Sequence, residues 1–365
     1  MTAPAHDTIA FLSLRPGEDA AVVDRAIRRV VERGWFILGP ELEAFETELA
    51  RACGTDTAVG VNTGTDALAL ILRALDIGPG NEVITSPLSA AYTALAVMMV
   101  GARPVFVDID PKRLTLDPAA IEAAITPRTA AIMPVHLYGQ AADMRAIMAV
   151  ADRHRLAVVE DACQAHLATC EGVPVGTIGV AGALSFYPTK NLGALGDGGA
   201  VITNSRPLAD RIKRMRNGGQ SSRYYHDEFG VNSRLDEIQA AILRERLALL
   251  PAWTARRRAL GARYRTALAG TPVVVPPEFD AGHVYHLFPV LSAQRDTVRE
   301  HLRANGVETL IHFPVPIPRQ RALASEQPAD CPVADRVCDE VFSLPLYPSL
   351  PDAAVDRVAD VLRRE

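Results

Sequence analysis

Ala130-Ala-Ile-Met-Pro-Val135, then Met144 to His154, then Ala157-Val-Val-Glu160 follow one another as an aliphatic run, a stretch of helical periodicity and a second aliphatic run. Short apolar runs without polar alternation read as strands buried on both faces. The same rhythm extends outward, with strand-like runs at Thr57 to Val61, Glu82 to Thr85 and Pro104 to Val107, and helical patterns at Thr65 to Leu75 and Ala90 to Val100. Strands alternating with helices predict an α/β fold with a largely parallel sheet covered on both faces. Two further runs, Ala183 to Phe186 and Ala200 to Thr203, have no helix between them and flank a glycine-dense stretch. Strand order or direction is expected to change there, and a site is expected beside the irregularity.

After Pro207 the pattern turns to Arg-rich helical stretches, Leu208 to Met215, Arg234 to Leu250 and Trp253 to Leu268, with Pro251 expected to break the second from the third. Beyond Gly270 come strand-like Val273 to Leu291, helical Asp296 to Asn305, strand-like Val307 to Ile311 and a terminal helix near Asp352 to Arg364. This predicts a large domain over residues 1–250 and a smaller α+β domain over residues 251–365. The helix from Glu18 to Arg33 precedes the first strand and is expected to pack on the small domain or on a second subunit.

The 365 residues are 48% apolar and 22% charged, with 38 basic against 43 acidic side chains and a net charge of −5. That balance argues against disorder and against a dedicated nucleic-acid or membrane-surface binder. The five cysteines form no C-x-x-C pair, which argues against a disulfide framework or zinc ribbon. Met1 to Leu12 carries no secretory pattern and no segment reaches membrane-spanning length, so a cytoplasmic protein is expected.

Three segments carry chemistry. Ser185-Phe-Tyr-Pro-Thr-Lys190-Asn-Leu-Gly-Ala-Leu-Gly196-Asp-Gly-Gly199 places a lysine after a buried strand, among glycines that let backbone pass close to a bound group. Such a lysine is either a solvated loop residue or an amine whose pKa falls on burial and which forms an imine. Val158-Val-Glu-Asp161-Ala-Cys-Gln164-Ala-His166 ends a strand in an acid at the edge where ligands collect in open α/β sheets. Asp161 precedes Lys190 by 29 residues and can reach the same crevice, or it caps a helix. Val59-Gly-Val-Asn-Thr-Gly64-Thr65-Asp66 leads from a strand into a helix, where amides and a hydroxyl make a phosphate site unless Thr65 is simply the cap. One cofactor, pyridoxal phosphate, requires all three: a Schiff-base lysine, a carboxylate that keeps the pyridine nitrogen protonated so that the ring is an electron sink, and a phosphate cradle.

Competing motifs fail their own context. The glycines at 193, 196, 198 and 199 lead into a strand and do not open a helix, unlike a dinucleotide fingerprint. His283 and His286 are read as strand residues on opposite faces, so no metal site is expected.

These segments resemble the DegT/DnrJ/EryC1/StrS sugar aminotransferases, within fold type I of the pyridoxal-phosphate enzymes. The resemblance runs from Gly34-Trp-Phe-Ile-Leu-Gly-Pro-Glu41 through Asn62-Thr-Gly-Thr-Asp-Ala67 and the Asp161 and Lys190 segments to Asn232-Ser-Arg-Leu-Asp-Glu-Ile-Gln-Ala240 and His312-Phe-Pro-Val-Pro316. It implies a seven-stranded, mostly parallel large domain and a small C-terminal domain. Lys190 is similar to the family's Schiff-base lysine and proton shuttle, and Asp161 to the partner of the pyridine nitrogen. Gln164 resembles the contact to the ring hydroxyl, and Gly64, Thr65 and Ser185 resemble phosphate ligands. An asparagine matching Asn232 reaches the phosphate of the neighbouring subunit's cofactor, so the resemblance implies a homodimer with shared active sites. The implied reaction has two ping-pong halves: L-glutamate leaves pyridoxamine phosphate and 2-oxoglutarate, and a nucleotide-linked ketosugar then receives the amino group.

The Lys190 segment looks like the branch acting at carbon 3 of dTDP-3-keto-6-deoxyhexoses. For the anionic diphosphate, Arg211, Lys213, Arg214 and Arg216, followed by Arg223, Tyr224, Tyr225 and His226, are candidates; the first four are equally read as a solvated helix face. His312 and Phe313 are further substrate candidates. The family's cofactor-stacking aromatic falls two residues before Tyr92, so either Tyr92 takes that role from a shifted position or the stack is lost. The family's Arg-Asn-His-Gly reads Arg216-Asn-Gly218-Gly here, and the tyrosine and last histidine of His-Tyr-Pro-x-Pro-x-His are Phe313 and Pro318, all at expected sugar-facing positions. Alternative substrates are a UDP-linked 3-keto-2-acetamido sugar acid or an aminocyclitol ketone. A sugar dehydratase of the same fold would carry histidine in place of Lys190, and a non-catalytic homologue would lack Lys190 or Asp161.

Overall fold

The computed structural model describes residues 8–323 and 329–365; residues 1–7 of the stretch read for a leader lie outside them. The helices are α1 Ala20–Arg33, α2 Pro40–Cys53, α3 Gly64–Ala74, α4 Tyr92–Met99, α5 Pro118–Ile121, α6 Met144–His154, α7 Arg206–Met215, α8 Glu237–Ala267, α9 Arg295–Ala304, α10 Pro332–Glu340 and α11 Asp352–Leu362. The strands are β1 Thr57–Val61, β2 Glu82–Thr85, β3 Arg103–Phe106, β4 Thr129–Met133, β5 Ala157–Asp161, β6 Thr169–Cys170, β7 Val173–Pro174, β8 Ala181–Ser185, β9 Gly199–Thr203, β10 Gln220–Ser222, β11 Tyr225–His226, β12 Phe288–Leu291 and β13 Val341–Leu344.

A seven-stranded sheet has the order β1-β9-β8-β5-β4-β2-β3. Only β9 runs against its neighbours, pairing antiparallel with both β1 and β8. This is the change of direction expected at Ala200 to Thr203. Because side chains alternate along a strand, each strand feeds both faces. Ala58, Val158 and Ala200 enter a core with residues of α2, α6 and α8, whereas Val59, Val159 and Val201 enter another with residues of α3, α4 and α7. Burial on both sides explains why these strands read as unbroken aliphatic runs.

A third core joins the last turns of α8 to β12, β13, α9, α11 and Ile9. Here the sequence reading needs correction. The strand-like runs of residues 273–291 and 307–311 keep one strand, β12, and otherwise form isolated bridges, Val274 with Leu291, Ile9 with Val307 and Leu310 with Ser343. The partner of β12 is β13, which the sequence reading did not anticipate.

Pro251 does not break the helix, since α8 continues through it for 31 residues. Proline removes one backbone donor and crowds the preceding turn, at roughly 3 kcal/mol. Pro251 is exposed, so water can take the carbonyl it leaves unpaired, while burial of Leu243, Leu250, Leu260 and Tyr264 on either side holds the helix together. The N-terminal helix α1 packs through Val23, Ala26 and Val30 on Ala241 and Ile242, in the first turns of α8 of its own chain.

Candidate active site

A cavity of about 1260 Å³ opens at the carboxyl ends of β1, β5 and β8, and Thr63, Asp161, Ser185 and Lys190 line it. Residues of the C-terminal part, including Arg299, His312 and Phe313, form its other wall, together with Phe11 from the N-terminal segment.

The cap of α3 is Thr63, whose hydroxyl accepts the Asp66 amide at 3.0 Å. Thr65 is therefore free of the capping role, and Gly64 and Thr65 present the first turn of the helix to the cavity. A helix N-terminus with free amides suits an anion. Gly64 packs so closely on the next strand that a Cβ there would meet Cys163 Sγ at 2.7 Å and Ser185 Cβ at 2.8 Å. No side chain fits there, so the amides lie open beside Ser185.

Asp161 is not a helix cap either. It ends β5, and its Oδ1 accepts the Cys163 amide at 3.1 Å while its Oδ2 accepts the Thr93 hydroxyl at 2.7 Å. Across the cavity, burial pushes the Lys190 amine below its usual pKa, with Cys163 and Asp161 acting in the opposite sense. The Lys190 amine has no hydrogen-bond partner among the described residues. Gln164 accepts the Tyr138 amide at 2.8 Å through Oε1, and it too lines the cavity. Four groups that one cofactor requires thus meet in one space: a desolvated amine, a fixed carboxylate, an amide-lined helix end and a carboxamide.

The model of the DegT/DnrJ/EryC1/StrS aminotransferase family matches residues 18–363. The chain belongs to this family. It is 49% identical over 361 residues to the dTDP-3-amino-3,4,6-trideoxy-alpha-D-glucose transaminase of Streptomyces venezuelae, across 97% of this chain and 95% of that protein. It is 42% identical over 344 residues to the UDP-2-acetamido-2-deoxy-3-oxo-D-glucuronate aminotransferase of Pseudomonas aeruginosa, across 93% of this chain and 95% of that one. Among solved structures, S. venezuelae DesV in complex with a ketimine intermediate matches with a TM-score of 0.95 at 48% identity, covering 98% of both chains. The protein is an aminotransferase with the α/β fold of these enzymes.

Within this aminotransferase, Gly64, Thr65, Tyr92, Asp161, Gln164, Ser185, Lys190, His312 and Phe313 all face the one cavity. Tyr92 is 64% exposed at the first position of α4. Asn232, Tyr225 and His226 do not reach the cavity of their own chain; they are exposed, Tyr225 by 70%. The basic stretch does not line it either. Arg211 pairs with Asp76 and Glu228, Arg214 with Glu228, and Arg216 is buried against Glu46 and the Gly60 carbonyl. Arg216 is thus a structural tie and not a sugar-facing residue.

Three residues that the sequence reading missed belong here. Thr93 and Ser89 stand behind Asp161, and His286 lines the cavity. His283 and His286 lie before β12, not on a strand, and both are buried. The Asn191 carboxamide donates to the Val284 carbonyl at 3.0 Å, so its oxygen faces His286 Nδ1 at 3.2 Å. Burial and then the charge of Lys190 hold the His286 pKa well below the usual value, so the ring is neutral. No group of three or more metal-ligating side chains occurs among the described residues, and no helix of theirs is long and apolar enough to cross a membrane.

Proposed function

We propose that the protein is a pyridoxal-phosphate-dependent sugar aminotransferase that carries an amino group from L-glutamate to carbon 3 of a dTDP-linked 3-keto-6-deoxyhexose. The observation that carries this reading is the meeting of Lys190, Asp161 and the Gly64–Thr65 helix end in one cavity large enough for a cofactor and a nucleotide sugar. The residues fit the cofactor: Gly64, Thr65 and Ser185 would hold its phosphate, Asp161 its ring nitrogen, Gln164 its ring hydroxyl and Lys190 its aldehyde carbon. When bound, pyridoxal phosphate supplies an electron sink for cleavage of the bond to the substrate's α-hydrogen.

The chain's own groups do the rest. The Lys190 amine, its proton affinity reduced by burial, takes a proton from one carbon and returns it to another, in general base and then general acid roles. Asp161, gripped at both oxygens, keeps its position as charge develops. His312, half-buried and with its pKa lowered to about 4 by desolvation and by Lys190, offers a neutral ring to the sugar beside Phe313.

The reading includes a second copy of the chain. Asn232, Tyr225 and His226 serve the partner's site, since they are exposed and outside their own cavity, and the neighbouring surface carries the exposed aromatics Trp35, Phe36, Tyr224 and Phe229. We place the large domain at residues 1–250 and the small one at residues 251–365, with α8 shared between them, and the enzyme in the cytoplasm. The P. aeruginosa relative supports a second substrate, a UDP-linked 3-keto-2-acetamido sugar acid. The deciding experiment incubates the enzyme with glutamate and each ketosugar and follows 2-oxoglutarate release. Turnover with the dTDP-3-keto-6-deoxyhexose and not the UDP sugar acid is expected; the reverse selects the second reading, and turnover with neither overturns both.

A further inference from the structure

Asp161 is served by two hydroxyls that neither the family motifs nor the sequence reading assigned. Its Oδ2 is 2.7 Å from Thr93 Oγ1, which is in turn 3.1 Å from Ser89 Oγ. Ser89, Thr93 and Asp161 are 5%, 1% and 5% exposed, and all three line the cavity. The proton directions follow from the chemistry. A carboxylate only accepts, so Thr93 donates to Asp161; a hydroxyl has one proton, so Ser89 must donate to Thr93. The alternative acceptor for Thr93, the Ala90 carbonyl at 3.4 Å, is the longer and weaker contact.

Ser89 lies in the connection between β2 and α4 and Thr93 in the first turn of α4, whereas the amide on Oδ1 comes from the turn after β5. The carboxylate is thus bracketed from two separate segments, which fixes its rotation. The Cys163 thiol, two residues on and held neutral by burial, and the Lys190 amine are the titratable groups that interact with Asp161, and neither replaces the Thr93 contact.

We propose that Thr93, supported by Ser89, is a positioning residue that holds Asp161 in the orientation needed by the ring nitrogen of pyridoxal phosphate. This rests on the cofactor reading above. Replacing Thr93 by the isosteric valine leaves Oδ2 without its buried donor, so the carboxylate turns away or recruits water. The ring nitrogen then keeps its proton less firmly. A less positive ring withholds a second proton from the conjugated Schiff-base nitrogen less strongly, so that nitrogen titrates at higher pH.

The test compares apo wild type with Thr93→Val, Thr93→Ser and Ser89→Ala, titrated with pyridoxal phosphate and followed by visible absorbance against pH. For Thr93→Val we expect cofactor affinity to fall on the order of tenfold and the pH midpoint of the visible band to rise. Thr93→Ser should restore both, and Ser89→Ala should shift both in the same direction by less. Urea midpoints of the apo proteins report folding separately; should Thr93→Val not fold, Ser89→Ala decides by the same two readouts. Wild-type affinity and midpoint in a folded Thr93→Val, or in Ser89→Ala when it must decide, overturn the relay. A wild type that binds no pyridoxal phosphate overturns the cofactor reading itself.

Discussion

Gly64→Ala tests the phosphate cradle most directly. The added Cβ would lie 2.7 Å from Cys163 Sγ, 2.8 Å from Ser185 Cβ and 3.3 Å from Ser185 Cα, inside contact distance of atoms that have little freedom. Ser185 is the last residue of β8 and pairs with Gly199, and the Cys163 amide is held by Asp161. Relief must therefore come from α3, whose first turn withdraws from the cavity and takes the Gly64 and Thr65 amides with it. A hydrogen bond to a charged group is worth about 1.5–3 kcal/mol, so loss of one from the phosphate weakens binding by about 10–150-fold. Overpacking also costs stability, about 1–3 kcal/mol. Fluorescence titration of the apo protein with pyridoxal phosphate measures the first effect, and urea unfolding of the same apo protein the second. Wild-type affinity in a variant destabilised by the expected amount would show that the start of α3 does not hold the phosphate.

Lys190→Ala should abolish amino transfer and leave noncovalent cofactor binding, while borohydride treatment of wild type should attach the cofactor to the peptide carrying Lys190; mass spectrometry of the digest checks both, and retained turnover would assign the chemistry to another amine. Acid should destabilise the fold through its buried neutral histidines. Burial lowers His166 and His283 to about 3, so their contribution is complete above the unfolded value near 6.5 and is lost as pH falls toward the folded one. By pH 5 each has lost about 2 kcal/mol, about 4 kcal/mol together, and urea midpoints at pH 7 and pH 5 should differ accordingly; equal midpoints would contradict their burial. Arg246→Met should cost about 3–5 kcal/mol, because it strands Asp19 in a pair that is 10% and 7% exposed and also releases the Gly193 carbonyl beside the Lys190 loop. Asp19→Asn in the same background should recover part of that loss in urea unfolding, and a purely additive double variant would refute the pairing.

What the sequence revealed divides along a physical line. The strands were legible because a sheet covered on both faces needs continuous apolar runs, as Val158-Val159 and Ala200-Val201-Ile202 supply them to two cores. The meeting of Lys190, Asp161 and Gly64 in one cavity was legible because each sits at a position marked in the chain, the end of a strand or the start of a helix. Thr93 and His286 were not, since a threonine in a helix and a histidine before a strand acquire their roles only from what the fold brings beside them. The one available signal for Thr93 was its place next to Tyr92, in a stretch already marked as departing from the family pattern. Pro251 misled for the opposite reason: its local preference is strong, but the helix is decided by packing along 31 residues.

The arginines of α7 and α8 show how charge is spent in this fold. Arg216, the cap that follows α7, and Arg246 and Arg257 of α8 are buried, and each donates to backbone carbonyls: Arg216 to Gly60, Arg246 to Gly193 and Ala194, and Arg257 to Tyr285, His286 and Leu346. A planar fork with several donors can join segments that lysine, a single point charge, could not. Arg257 does so without a carboxylate, and burial alone brings its pKa down to about 10, still far above neutrality. The loop that follows Lys190, the segment carrying His286 and strand β1 are thereby tied to α8 and to the end of α7. Of the basic stretch read along α7, Arg211 and Arg214 pair with carboxylates at the surface and Arg216 alone is buried; in a chain of net charge −5 the proposed phosphate site would therefore rest on backbone amides at the start of α3.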